Sequence, residues 1–128
     1  MIKKQENKKM TTKDKESQAI GKYLRLSTHK ARRVLEQIKG KNYNEAILIL
    51  EFMPYRACKT INKILKSALY NINIKENKVL NINKDKLIIK EAFANQGPTL
   101  KRFQPRAQGR AFAIRKPTCH ITIKLENI

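Results

Sequence analysis

GPTLKRFQPRAQGRAFAIRKPTCHITIKL, residues 97–125, decides the fold. Its last third alternates cleanly. Cys119, Ile121, Ile123 and Leu125 fall on one face of an extended chain, and Thr118, His120, Thr122 and Lys124 on the other. Upstream, residues 86–95 are also strand-like, with LIIKEAFA at their centre. Between the two strands lie Lys101, Arg102, Arg106, Arg110, Arg115 and Lys116, and no acid occurs anywhere between Glu91 and Glu126. Gly97-Pro98 and Gln108-Gly109 carry turn chemistry. The pattern predicts a long β-hairpin over about residues 90–120 with its tip at Gly109. Each arm of about ten residues would span roughly 35 Å.

A solvated surface mixes charges of both signs, so an acid-free stretch of this length points to phosphate. The whole chain agrees. Its 128 residues carry 29 Lys and Arg against 10 Asp and Glu, a formal net charge of +19. That excess repels itself in a compact state, and a polyanionic partner is expected. Phe103 and Phe112 could stack on bases or pack within the hairpin. No apolar run is long enough for a membrane span, and neither a membrane nor a small-molecule substrate is expected as partner.

Upstream of the hairpin the chain reads as one domain, 19–128, behind a polar basic tail, 1–18, too poor in apolar residues to fold alone. Ala19 to Leu26 reads as a short strand with Ile20 and the Tyr23–Leu26 region as its apolar groups. Ser27 or Thr28 can cap a first helix carrying Ala31, Val34, Leu35 and Ile38, and Gly40 can stop it. Asn44 can cap a second helix, apolar on most sides and expected to sit deep. Pro54 suits the first turn of a third helix, where Ala57, Ile61, Ile64, Leu65, Ala68, Leu69 and Ile72 form a stripe at steps of three and four. Arg56, Lys59, Lys63 and Lys66 fall off that stripe. KENKVLNINKDK, residues 75–86, reads as a loop.

Catalytic and metal chemistry find little support. Cys119 and His120 are adjacent on a strand and so point to opposite faces. Cys58 with His29 makes a poor nucleophile–base motif, and both thiols read as reduced and buried. With no C-x-x-C pair and two histidines, no zinc spacing exists, and no cofactor or metal is expected. Two other classes stay open: a helix-turn-helix DNA binder around Gly40, which would keep its binding without residues 98–117, and a small enzyme using Cys58 or Cys119, which alkylation would inactivate.

The hairpin run quoted above resembles the C-terminal hairpin of the large-subunit ribosomal protein family numbered twenty-two. LSTHKARRVLEQIKGKNYNEAILIL, residues 26–50, resembles that family's first two helices, and MPYRACKTINKILKSALYNI, residues 53–72, its third. The similarity covers about residues 19–126. It implies an α+β fold: three helices packed on a small three-stranded antiparallel sheet, with a long extended C-terminal β-hairpin. It implies a structural, non-enzymatic role, with large-subunit ribosomal RNA and other large-subunit proteins as partners. It also implies a hairpin tip that lines the nascent-polypeptide exit tunnel. RNA contact is expected from Lys22, Arg25, Lys30, Arg32, Arg33, Lys101, Arg102, Arg106, Arg110, Arg115 and Lys116, and the tip from Pro105, Arg106, Ala107, Gln108, Gly109 and Arg110. The family often has a basic residue where Gln104 and Gln108 stand here, and Phe112 and Ala113 also depart from its commoner choices. MPYRAC and RKPTCHIT resemble the plastid branch. The N-terminus lacks a secretory apolar segment and carries Glu6, Asp14 and Glu16, unlike an acid-poor transit peptide. A chloroplast or plastid ribosome is the expected location, with the bacterial cytoplasm as the alternative.

Overall fold

The computed structural model describes residues 16–75 and 84–127. The order of elements is β1 (Glu16–Leu24), α1 (Thr28–Ile38), α2 (Tyr43–Phe52), α3 (Ala57–Lys75), β2 (Leu87–Gln96), β3 (Leu100–Pro105), β4 (Ala111–Lys116) and β5 (Cys119–Asn127). Three strands form an antiparallel sheet in the order β1-β5-β2, and β3 pairs with β4 in a separate two-stranded ribbon. This is the expected α+β architecture.

The helices cover one face of the sheet. The stripe predicted for α3 is buried in full, and Ala31, Val34, Leu35 and Ile38 of α1 join it. Beneath them lie Leu87 and Ile89 of β2 and Cys119, Ile121, Ile123 and Leu125 of β5, the face read from their alternation. On the other face Ile20 and Phe93 are partly exposed and Thr122 is buried between them. There Ile20, Thr122 and Phe93 stand side by side across β1, β5 and β2.

Several boundaries move. β1 spans Glu16–Leu24 and not residues 19–26, so it begins within the tail expected over residues 1–18, whose first fifteen residues lie outside the described residues. Its inward residues are Ser17 and Ala19, while Ile20 points out and is 48 % exposed. The cause is the close approach of α3. A Cβ on Gly21 would meet Ile64 Cδ1 at 2.7 Å, so only small side chains fit beneath the helix. The hydroxyl of buried Ser17 is satisfied by donating to the Ala68 carbonyl of α3 at 2.8 Å.

The N-cap of α2 is Asn42 rather than Asn44: its side chain accepts the Asn44 amide at 3.0 Å. This helix is shallower than expected, burying Tyr43, Ala46 and Leu50 but leaving Leu48 and Phe52 exposed. Pro54 lies three residues before α3 and not in its first turn. Met53 before it is extended, as a residue preceding proline prefers. Gly40 does terminate α1, with φ +76°, and its amide donates to the Ile89 carbonyl of β2. Of the loop expected at 75–86, Lys75 ends α3, Lys84–Lys86 forms one 3-10 turn, and residues 76–83 lie outside the described residues.

The long hairpin is built in two stages. β2 and β5 pair within the core sheet, residues 97–99 and 117–118 leave strand geometry, and β3 and β4 resume it, six residues each. The joint is pinned by the Gly97 amide, which donates to the Thr118 carbonyl at 2.9 Å, and by the Thr118 hydroxyl, which donates to the Pro98 carbonyl. A Cβ on Gly97 would stand 2.6 Å from Thr118 Oγ1, so this approach requires glycine.

Candidate nucleic-acid interface

Every residue from Lys101 to Ala113 is exposed. β3 and β4 bury almost nothing of their own, and a lone two-stranded ribbon is marginal in water. The register also sets like charges together, with Lys101 directly across from Arg115. On one face Arg102 and Lys116 accompany Phe112 and Ile114, and on the other Lys101 and Arg115 accompany Phe103 and Ala113. At the tip the Arg106 amide donates to the Arg110 carbonyl at 2.7 Å, closing a loop of Ala107, Gln108 and Gly109. Gln108 and Gly109 are both left-handed, at φ +65° and +74°. The turn thus falls where the sequence placed it, flanked by Arg106 and Arg110. The Arg106 guanidinium lies over the Phe112 ring, 6.0 Å from its centroid.

The base of the hairpin opens onto a cleft of about 930 Å³. Six cations line it: Arg25 after β1, Lys30 and Arg33 of α1, Arg56 before α3, and Arg115 and Lys116 of β4. No acid lines it, and Tyr55 supplies a ring, with the Arg33 guanidinium 5.8 Å from its centroid. Five of the expected RNA-binding residues, drawn from opposite ends of the chain, meet here. Lys22 is exposed on the outer side of β1. Arg32 does something different. Its Nε and Nη2 both donate to the Ala94 carbonyl, at 3.2 and 3.0 Å, so the guanidinium ties α1 to β2 before it can reach a phosphate. Arg56 and Tyr55 were not among the residues expected at the RNA-binding site. The signal for them was their place in the connection to α3, next to a proline, where a side chain has no core to fill.

The carboxylates are held elsewhere. Glu16 and Glu126 are cross-strand neighbours at the end of the sheet remote from the hairpin, and Glu91 lies one strand over. Lysines neutralise this end: Lys90 bonds Glu16 at 2.5 Å and Lys124 bonds Glu91 at 3.1 Å. The Glu16 carboxylate, through its hydrogen bond and its charge, raises the Lys90 pKa. Glu45 lies on α2 and Asp85 beside it, where Asp85 accepts from Asn44. Glu36 lies on α1 and Glu51 on α2, and among the described residues no carboxylate lines the cleft or stands on the β3–β4 ribbon, where the local charge is positive throughout.

The thiols do not form a reactive centre. Cys58 and Cys119 are both buried, and burial pushes both thiols up, away from the thiolate. His120 faces the other side of β5, where its Nδ1 accepts the Tyr23 amide. Among the described residues no group of three or more His, Cys, Asp or Glu could hold a metal, and no helix is long and apolar enough to cross a membrane.

Comparison with known proteins shows the family to which the chain belongs. Residues 19–126 match the family model described as ribosomal protein L22p/L17e. The chain is 67 % identical over 117 residues to the large ribosomal subunit protein uL22c of the alga Gracilaria tenuistipitata, covering 91 % of this chain and 97 % of the relative. It is 55 % identical to the uL22c of the moss Physcomitrium patens, over 88 % of this chain and 92 % of that one. It is 54 % identical to the uL22 of the cyanobacterium Nostoc punctiforme, over 89 % and 93 %. These relatives support the plastid location expected from the sequence. With the matched span taking in the cleft, the sheet and the whole hairpin, the chain belongs to the ribosomal protein L22p/L17e family, as a structural, non-enzymatic constituent of the large ribosomal subunit.

Proposed function

We propose that the cleft and the hairpin form one continuous RNA grip, and that the hairpin tip lines the nascent-polypeptide exit tunnel of the plastid large subunit. Ribosomal RNA and other large-subunit proteins are the partners that membership in the family brings. The observation that carries the finer reading is the continuity of charge. Arg115 and Lys116 belong both to the cleft and to β4, so a phosphate backbone seated on Arg25, Lys30 and Arg33 leads directly onto the ribbon. Along the ribbon Lys101, Arg102, Arg106 and Arg110 neutralise further phosphates, and RNA segments that would repel one another can pack closely. Lys22 extends the grip along β1, and Arg32 contributes the three N–H groups that its two bonds to Ala94 leave over. Pro105 to Arg110 form the tip. Gln108, uncharged and held outward by the left-handed turn, is the group we assign to the tunnel wall.

The test is a photo-cross-linker attached at Gln108→Cys in assembled ribosomes carrying a radiolabelled nascent chain. A cross-link to that chain supports the tunnel placement. Cross-links confined to RNA or to neighbouring proteins contradict it.

A further inference from the structure

Tyr23 has a conformation that its sequence neighbours do not require. β1 pairs regularly with β5 up to Gly21, opposite Ile121. It then resumes with Leu24 opposite Cys119, so one extra residue is inserted on β1. This is a β-bulge. In an unbroken strand Tyr23 would share the inward face with Ser17, Ala19 and Gly21, and Leu24 would point out. The bulge reverses both: Leu24 packs against the core, and Tyr23 stands outside, 66 % exposed. Tyr23 reaches this position at φ +55°, in the left-handed region that disfavours a bulky side chain. Its backbone is held there by His120, whose Nδ1 accepts the Tyr23 amide at 3.0 Å. The two rings meet edge to face, 87° apart with centroids at 4.9 Å.

The molecule thus holds an exposed aromatic ring on a strained mount, packed at right angles against the His120 ring. Its sequence neighbours are Lys22, exposed beside it, and Arg25, which lines the basic cleft. Strain of this kind persists where surrounding structure enforces it and marks sites that present a group. A flat, rigid, sequence-tolerant ring beside phosphate-binding cations is the arrangement that receives an unpaired nucleobase, the ring stacking on the base while the cations hold its phosphate.

We infer that Tyr23 is a stacking platform for an unpaired base of the large-subunit ribosomal RNA, an inference that rests on the RNA-binding reading of the cleft. The base takes the open side of the ring, and Lys22 and Arg25 take the flanking phosphates.

The experiment measures binding of the full chain to transcribed plastid large-subunit RNA of Gracilaria tenuistipitata, with an unrelated RNA of equal length as competitor, over a series of salt concentrations. Tyr23→Gly removes the ring and adopts the left-handed backbone without strain, so its melting temperature is expected to hold. Tyr23→Asn, also at ease in that region, repeats the test with a side chain present. Both variants are expected to bind about tenfold more weakly, with the salt slope unchanged because no cation is lost. Tyr23→Phe should bind within about twofold of wild type, since it keeps the stacking face. Wild-type affinity in the Gly and Asn variants, or a Phe variant as weak as the Gly one, overturns the stacking inference and leaves the RNA-binding reading standing. A wild-type chain that shows no preference over the unrelated RNA overturns that reading, and the inference with it.

Discussion

Lys101 and Arg115 occupy directly opposed positions in the β3–β4 ribbon, two cations face to face on one side of a hairpin that has no acid to separate them. Opposed like charges work against a ribbon by a few tenths of a kcal/mol, and this one buries too little to offset that itself. A polyanion lying across the ribbon would relieve that repulsion. Arg115→Gln should therefore leave the free chain as stable as before, or slightly more so. It should weaken RNA binding and reduce the slope of log K against log salt by about one. Filter binding across a salt series reads both quantities.

The tip has its own strain. Gln108 holds a left-handed conformation that costs a non-glycine residue roughly 1–2 kcal/mol. Gln108→Gly should relieve most of it and slow amide exchange at Arg106, whose N–H closes the turn onto the Arg110 carbonyl. Gln108→Val should hasten that exchange. At Gly109 nothing lies within 4 Å of where a Cβ would stand. Gly109→Ala should therefore act through the backbone alone, in the same direction as valine at 108.

Gly97 presents the opposite situation, a glycine required by space. Its Cβ position is 2.6 Å from Thr118 Oγ1 and 3.2 Å from the Thr118 carbonyl, which is main chain and cannot swing away. Gly97→Ala should cost about 1–3 kcal/mol in a denaturant titration. It should also re-aim the ribbon, so incorporation into large subunits should fall further than the stability loss alone accounts for.

How much of this was legible in the sequence depends on whether a residue's role is set by its own neighbours. The stripe of α3 and the alternation of β5 were readable because periodicity encodes a buried face directly. The hairpin was readable because its acid-free composition needs no tertiary context. β1 was misread because its inward face is chosen by α3: Ser17, Ala19 and Gly21 are inside for being small, and Ile20 is outside for being large. α2 was expected to sit deep because all its apolar residues count alike in a sequence, yet Leu48 and Phe52 face outward. The cleft was invisible as a unit, since its cations come from four separate places in the chain. The partner of Arg32, a main-chain carbonyl 62 residues away, leaves no mark on local composition.

The buried thiols give a prediction in pH. Burial raises the pKa of Cys58 and of Cys119, and burial also raises that of Tyr43, with Tyr70 adding to it. Each group holds its proton more tightly when folded than when unfolded. Stability is therefore independent of them below the unfolded thiol pKa, about 8.5, and falls as pH rises above it toward the folded values. Denaturation midpoints should decline from about pH 8.5 upward. Iodoacetamide at pH 8 should leave both cysteines unmodified in the folded chain and alkylate both after unfolding.

The most direct test of the central claim, that cleft and hairpin together grip the RNA of the large subunit, is retention under salt. Plastid ribosomes are washed at high ionic strength, the subunits are separated by sedimentation, and this chain is quantified by mass spectrometry against other large-subunit proteins. Exposed phosphate contacts alone are stripped by such a wash, whereas a ribbon threaded between RNA segments is not. The account predicts near-equal ratio to those proteins after the wash. Loss of the chain into the wash, with the subunit otherwise intact, would contradict it.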